Sequence, residues 1–183
     1  DAEAIAMLDK FIRLYPNHPT VDYAFYLKGV VLFIDRGLMD KLTLQDISDR
    51  DVAPLKESFK AFEIIVERYP DSKYYDDCII RMTYLMNKMA ENEIHVGRYY
   101  MKLKAYIAAL NRAQFVLKEY PQTIHQEEAL IIMISAYEFL GIHDLQKDTE
   151  KILKYNYPNS KFHTKDLQAQ KKDWWNIWDS LYD

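Results

Sequence analysis

The sequence is poor in glycine, in cysteine and in long apolar runs. Only 4 of its 183 residues are glycine and no two of them lie close together, which excludes the clustered glycines of phosphate-binding loops and dinucleotide sites. The single cysteine, Cys78, excludes an intrachain disulfide and any metal site built from several cysteines. Apolar runs such as residues 30–34 are far shorter than the ~18 residues that span a bilayer.

An excess of positive charge is also missing. The chain has 24 Lys and Arg against 28 Asp and Glu, a net charge of -4, which argues against general binding of nucleic acid through clustered basic residues. None of the five histidines has a partner at the i, i+4 spacing of a helical metal site, and no serine lies in the glycine-flanked elbow of a hydrolase. The sequence therefore predicts no metal site, no cofactor and no enzyme active site.

Tyrosine, in contrast, is abundant, and four of the 15 tyrosines are followed by proline, at residues 15–16, 69–70, 120–121 and 157–158. Five residues before each proline the chain has an apolar residue: Phe11, Ile65, Val116 and Leu153. Eight residues before the proline it has Leu8, Phe62, Ala113 and, as the exception, Glu150. Residues at this spacing share one face of a helix, and proline cannot continue a helix. The pattern predicts four amphipathic helices, each ended by Tyr-Pro.

Helical spacing of apolar residues also fills the segments between these stops, and strand-like alternation is nowhere sustained. The 37 residues from Pro121 to Pro158 approach the tetratricopeptide period of about 34 residues. The sequence therefore predicts an all-α fold, a tetratricopeptide-like superhelical solenoid of helix-turn-helix repeats over residues 1–160.

Two spacings between the prolines, 54 and 51 residues, exceed that period and predict insertions. One is the polar stretch 36–53, which we expect to form a loop. The other is extra helix within residues 73–102, which we expect Ala90-Glu91-Asn92 to bend or break.

The first repeat is incomplete, because residues 4–14 have the pattern of a second helix with no first helix before it. A terminal repeat without its partner exposes apolar surface. We therefore expect the chain to be a fragment, or an ordered portion, of a longer protein. We also expect Leu8 and Phe11 to be more exposed than Phe62 and Ile65, the equivalent residues one unit on.

Several short motifs resemble those of one family: Phe11-Ile12-Arg13-Leu14, Pro16, His18-Pro19, Asp22-Tyr23, Tyr26, Gly29, Ser48-Asp49-Arg50-Asp51, Tyr69-Pro70-Asp71-Ser72, Tyr99-Tyr100, Asn111-Arg112 and Tyr120-Pro121. In this order they resemble the BamD family, also called YfiO or ComL, whose members are tetratricopeptide lipoproteins of the bacterial outer-membrane β-barrel assembly machine. The resemblance covers about residues 2–155. The family's lipidated cysteine and first repeats have no counterpart here, and we find no match for residues 162–183.

The resemblance implies a non-enzymatic adaptor at the periplasmic face of the outer membrane, anchored by a lipid on a residue outside this chain. The implied partners are the POTRA domain of the barrel subunit, accessory assembly lipoproteins and unfolded outer-membrane protein substrates. The alternative is another tetratricopeptide adaptor, such as a co-chaperone that grips carboxylate termini in a basic groove. A mildly acidic chain fits that alternative poorly.

Candidate partner-binding residues follow from the family resemblance and from the pattern of the residues themselves. The resemblance implies that Arg112 pairs with a carboxylate of the POTRA domain, which a guanidinium can grip with two parallel hydrogen bonds; the alternative is a solvated helix arginine. Tyr99 and Tyr100 are adjacent, so they cannot both face one core, and one of them is expected at the surface or in an interface. Arg50 and Asp51 lie in the expected loop, which is a second candidate contact.

Residues 161–183 carry all three tryptophans of the chain, and Trp174, Trp178 and Leu181 form one helical stripe. This pattern predicts either a capping helix that covers the last repeat or a docking helix for a partner lipoprotein, since aromatic anchors dominate interface energies.

Overall fold

Helices provide all the regular structure in residues 2–42 and 52–163, the residues that the computed structural model describes. The helices are α1 (Ala2–Leu14), α2 (Val21–Leu42), α3 (Ala53–Arg68), α4 (Tyr75–Lys102), α5 (Tyr106–Glu119), α6 (Gln126–Leu140) and α7 (His143–Asn156), followed by a 3-10 turn at Lys161–His163. The predicted all-α, tetratricopeptide-like fold is confirmed. Within the same ranges, no helix has both the length and the apolar character needed to cross a bilayer.

Each Tyr-Pro dipeptide ends a helix in the same way. The four prolines lie two residues beyond the ends of α1, α3, α5 and α7, because proline has no amide hydrogen and its ring collides with the preceding turn. The tyrosine amides donate to the carbonyl four residues earlier, at 2.8–3.1 Å. Tyr69, Tyr120 and Tyr157 share nearly one backbone conformation, with φ between -123° and -130° and ψ between 57° and 65°. The predicted helix stops are confirmed.

The turns after these stops are also alike. The carbonyl of the tyrosine accepts a hydrogen bond from the amide three residues later, at His18, Ser72 and Ser160, and at Tyr120 it accepts one from the hydroxyl of Thr123. After the first three stops the next helix begins six residues beyond the tyrosine, at Val21, Tyr75 and Gln126. A repeated sequence motif therefore makes a repeated turn.

Two expectations about the insertions are contradicted, a break within α4 and a loop from residue 36. Helix α4 continues without a break through Ala90-Glu91-Asn92 and is 28 residues long, since alanine and glutamate favour helix strongly enough to carry it. Helix α2 extends to Leu42, so residues 36–42 are helical rather than loop. After the undescribed residues 43–51, α3 begins at Ala53 with Pro54 in its first turn, where proline is well tolerated.

Packing divides the chain into two compact units, Asp1–Met89 and Ala90–Asp183, and α4 contributes to both. We call them the amino-terminal and the carboxy-terminal unit. In the amino-terminal unit, α2 and α3 meet where Gly29 faces the fully buried ring of Phe62. A Cβ atom at Gly29 would lie 2.5 Å from Cε1 of that ring, so only glycine permits this approach. The Ser58 hydroxyl donates to the Gly29 carbonyl at 2.9 Å.

Helix α1 and Cys78 complete the amino-terminal unit. No residue of α1 is buried, and Leu8 and Phe11 are only half-buried, whereas Phe62 and Ile65 are fully buried. The expected difference in exposure is confirmed.

Cys78 is fully buried, and burial raises the pKa of its thiol to about 11, as suits a core residue rather than a reactive one.

In the carboxy-terminal unit, α6 is the central helix. Its residues 128–134, 136 and 137 are all buried, as expected of a helix that is apolar on nearly every side. Helix α5 packs Ala109, Ala113 and Val116 into this core, and α7 adds Leu153. Of these, Ala113, Val116 and Leu153 are residues that the Tyr-Pro pattern placed on the inner helix faces.

Candidate partner-binding site

Arg112 lies at the edge of the buried face of α5, next to Ala113. Its guanidinium Nη1 donates to the Glu93 carboxylate of α4 across 3.0 Å. Glu93 is 7% exposed, while 43% of the Arg112 side chain is exposed. The pair therefore consists of a half-exposed cation held against a buried carboxylate.

Three residues of α4 shape the surroundings of Arg112. Glu93, Gly97 and Tyr100 follow the i, i+4, i+7 spacing that places them on one helix face. A Cβ atom at Gly97 would lie 3.7 Å from Cβ of Arg112 and 3.4 Å from Cδ1 of Ile132. A Cβ atom at residue 97 would thus make ordinary van der Waals contacts with α5 and α6, so this face of α4 packs directly beside the arginine.

The electrostatics of this group of residues favour the charged form of Arg112. Burial acts to lower the pKa of Arg112, but hydrogen bonds to Glu93 and Tyr100 and the charge of Glu93 outweigh it, so the pKa is raised. Burial, with the negative charges of Glu93 and Glu119, raises the pKa of Tyr120 to about 12. Arg112 therefore stays positive at every relevant pH, with Glu93 as its hydrogen-bond partner.

A second arginine of the same unit makes a similar pair. Arg98 of α4 forms a hydrogen-bonded ion pair with Glu128 of α6. The Glu128 side chain is 2% exposed and that of Arg98 is 29% exposed. Arg112, with 43% of its side chain exposed, is therefore more accessible than Arg98.

Apolar side chains are exposed around Arg112. Ile107 and Phe115 lie about two turns apart on the exposed side of α5, with exposed Asn111 between them. Tyr99 is exposed as well, and its ring centroid lies 6.1 Å from that of half-buried Tyr100. The expectation that one of the two adjacent tyrosines lies outside the core is confirmed. Exposed aromatic and aliphatic groups beside an arginine are typical of the centre of protein interfaces.

The structure thus brings two of the sequence-predicted residues together, Arg112 and Tyr100, and exposed Tyr99 adjoins Tyr100. Arg50, Asp51, Trp174 and Trp178 lie outside the described residues, so their roles remain predictions.

Glu93 was missed by the sequence reasoning. The one available signal was an acidic residue on the same face of α4 as Gly97 and Tyr100. In residues 2–42 and 52–163 no group of three His, Cys, Asp or Glu side chains could hold a metal ion.

Comparison with known proteins places the chain in a family. A family model described as YfiO, outer membrane lipoprotein, matches residues 1–153. The outer membrane protein assembly factor BamD of Neisseria meningitidis serogroup A strain Z2491 is 45% identical over 177 residues, 96% of this chain and 66% of the relative. BamD of Neisseria gonorrhoeae is 44% identical over the same shares, and BamD of Vibrio cholerae is 35% identical over 85% of this chain and 65% of the relative.

The extent of these matches corrects one expectation. The Neisseria matches cover 96% of the chain. A match of that extent must include most of residues 162–183, so this tail does have a counterpart in some relatives. The chain spans about two thirds of the length of the curated relatives that it matches. Because the family model matches most of its residues, the chain belongs to the YfiO family of outer membrane lipoproteins.

Proposed function

We propose that this chain is a non-enzymatic adaptor of the outer-membrane β-barrel assembly machine, at the periplasmic face of the outer membrane. Two observations support this function: the family match and the similarity to relatives named outer membrane protein assembly factor. A helical-repeat scaffold is suited to binding other protein domains. The lipid anchor of the protein is proposed to lie on a residue outside this chain.

The observation that carries the proposed binding role is the half-exposed Arg112 on its buried partner Glu93. Arg112 is proposed to bind a carboxylate of the POTRA domain of the barrel subunit. A guanidinium has five N–H donors, and the pair with Glu93 uses Nη1. The remaining donors can serve an external carboxylate, with exposed Tyr99 and Ile107 as the apolar contacts.

Further contacts are proposed for residues outside the described ranges. Trp174 and Trp178 are proposed to cap the last repeat or to dock an accessory lipoprotein, and Arg50 and Asp51 to form a second contact with a partner. Unfolded outer-membrane proteins are the proposed substrates of the assembled machine.

The test of the Arg112 contact must separate binding from folding. Truncation of Arg112 alone would leave the buried carboxylate of Glu93 without its countercharge, which costs stability in itself. The paired variant Arg112→Gln/Glu93→Gln removes both charges together. We expect it to weaken binding to the purified POTRA region of the barrel subunit by about 2–3 kcal/mol, roughly 30- to 150-fold, because the partner carboxylate loses its countercharge.

Arg98→Gln/Glu128→Gln is the matched control, since it removes the other buried ion pair of the same unit. It should keep the wild-type affinity, with helical content and thermal melting recorded for both paired variants. A charge reversal at the proposed partner carboxylate, combined with Arg112→Glu, should restore part of the affinity if the pair is direct. Wild-type affinity in Arg112→Gln/Glu93→Gln would eliminate Arg112 as a contact.

A further inference from the structure

We infer that Glu93 is a positioning residue for partner binding: it holds the Arg112 guanidinium in the orientation in which it meets an external carboxylate. This inference rests on the proposed binding role of Arg112. Glu93 itself is 7% exposed, so it offers a partner almost no surface of its own. Its effect on an external ligand must pass through the arginine that it contacts at 3.0 Å.

Contacts with α4 restrain Arg112. Glu93 accepts a hydrogen bond from Nη1 at 3.0 Å, and Tyr100 lies close enough to favour the charged form of the same side chain. Both residues lie on α4, whereas Arg112 lies on α5. An arginine side chain loses much rotamer freedom when it is fixed. Because the internal ion pair imposes that loss on folding, less of it remains to oppose binding.

The charge of Glu93 acts in the opposite direction. It offsets the positive charge of Arg112 and so weakens the attraction for an external carboxylate. That carboxylate would approach the exposed part of the guanidinium, where water and salt screen the more distant Glu93. In Glu93→Gln, the lost orientation of Arg112 would weaken binding of the external carboxylate, whereas the lost negative charge would strengthen it. We expect the effect of orientation to be the larger of the two.

The experiment compares Glu93→Gln with Glu128→Gln in the full chain. Both substitutions neutralise one nearly buried carboxylate of the carboxy-terminal unit, but Glu128 pairs with Arg98 instead of Arg112. Affinity for the purified POTRA region of the barrel subunit is measured by calorimetry, well below the melting temperature of each variant. We expect Glu93→Gln to bind about tenfold more weakly, as for one charge-assisted hydrogen bond, and Glu128→Gln to bind as the wild type does. Unchanged or tighter binding by Glu93→Gln would overturn the inference.

A double-mutant cycle shows whether Glu93 acts through Arg112. In the Arg112→Gln background, Glu93→Gln should cause no further loss of affinity. A tenfold loss in both backgrounds would mean that Glu93 acts on the fold, which would also overturn the inference. Full affinity in Arg112→Gln itself would overturn the proposed contact. Lost affinity in Arg112→Gln with full affinity in Glu93→Gln would overturn the positioning role alone.

A readout without the partner completes the test. In the free protein, the guanidinium Nη–H signals of Arg112 in NMR spectra should show slow hydrogen exchange and restricted rotation, because Nη1 donates to Glu93. Both properties should be reduced in Glu93→Gln, because a neutral amide oxygen accepts a weaker hydrogen bond than a carboxylate, and retained in Glu128→Gln. Equal mobility of Arg112 in the wild type and Glu93→Gln would contradict the positioning role independently of any binding measurement.

Discussion

The two units of the chain bring neighbouring helices together by different means. In the amino-terminal unit the approach of α2 to α3 depends on shape, because Gly29 faces the rigid ring of Phe62 with no room for a Cβ atom. In the carboxy-terminal unit Gly97 faces its neighbours at ordinary contact distance, and ion pairs link α4 to α5 and to α6.

The carboxylates that pair with arginine also differ between the two units, because they are buried to different extents. In the amino-terminal unit, Asp77 accepts hydrogen bonds from the Tyr26 hydroxyl at 2.8 Å and from Arg81 Nε at 2.6 Å. The Asp77 side chain is 42% exposed, so this pair contributes at most about 1 kcal/mol. In the carboxy-terminal unit, Glu93 and Glu128 are almost fully buried, and removal of either arginine would leave a carboxylate without its countercharge.

Buried ion pairs are weak evidence for stability, since well-packed apolar residues often replace them without loss. Among the residues that the structure describes, buried carboxylates paired with arginine are found here in the carboxy-terminal unit, which calls for another explanation. One explanation that fits Arg112 is that the ion pair presents a half-exposed arginine to a partner. The proposed binding site would then lie in the carboxy-terminal unit.

The largest expected effect distinguishes the two glycines. Gly29→Ala should destabilise the protein by about 3 kcal/mol, because the new methyl group overlaps the buried Phe62 ring and neither helix can move freely. Gly97→Ala should change stability by less than about 1 kcal/mol, since its nearest neighbour is 3.4 Å away and alanine favours helix. Urea unfolding followed by circular dichroism measures both.

A relief variant tests the physical reason for the first effect. Phe62→Leu removes the ring that a side chain at residue 29 would meet. In that background Gly29→Ala should cost clearly less than in the wild type. Equal costs of the two glycine substitutions, or no relief by Phe62→Leu, would show that shape does not distinguish the units.

The next effect compares one arginine from each unit. Arg112→Ala should lower the free energy of unfolding by about 2 kcal/mol, because it leaves Glu93 buried and unpaired. Arg81→Ala should lower it by less than about 1 kcal/mol, since Asp77 is partly solvated and keeps its hydrogen bond from Tyr26. Chemical unfolding at neutral pH and low salt measures both values, and a larger loss in Arg81→Ala would reverse the comparison.

The sequence predicted the repeated part of the fold because that part is local. The Tyr-Pro stops depend on proline chemistry within one turn, and the apolar residues at fixed distances before them, such as Ile65 and Val116, are buried as expected. The continuity of α4 was mispredicted, because the helix formers at 90–92 carry the helix through a point where the repeat length suggested a break.

The candidate site could be predicted only in part. Arg112, Tyr99 and Tyr100 were found from the sequence, but the pairing that makes Arg112 a presented cation was not. Glu93 precedes Arg112 by 19 residues and lies on another helix, so no spacing rule within one helix connects them. Such a contact depends on how α4 packs against α5, which the linear pattern does not determine.

The smallest expected effect appears only at alkaline pH, where each unit has one buried group that resists ionisation. Burial raises the pKa of Cys78 to about 11 and of Tyr120 to about 12, whereas the ordinary values are 9.0 and 10.0. The folded state thus keeps a proton that the unfolded state loses. Stability from these groups is fully present below about pH 9 and declines as the pH rises toward 11 and 12.

Substitutions at the two positions should separate the contributions of the units. Cys78→Ala should flatten the decline that begins near pH 9, and Tyr120→Phe should flatten the decline that begins near pH 10. The measurement is the free energy of unfolding in urea from pH 7 to 11, and the slope against pH is compared rather than the absolute value, because Cys78→Ala also leaves a small cavity at every pH. An unaltered slope in Tyr120→Phe would mean that Tyr120 has the same pKa in the folded and unfolded states. Burial and the charge of Glu93 would then not raise the pKa of Tyr120.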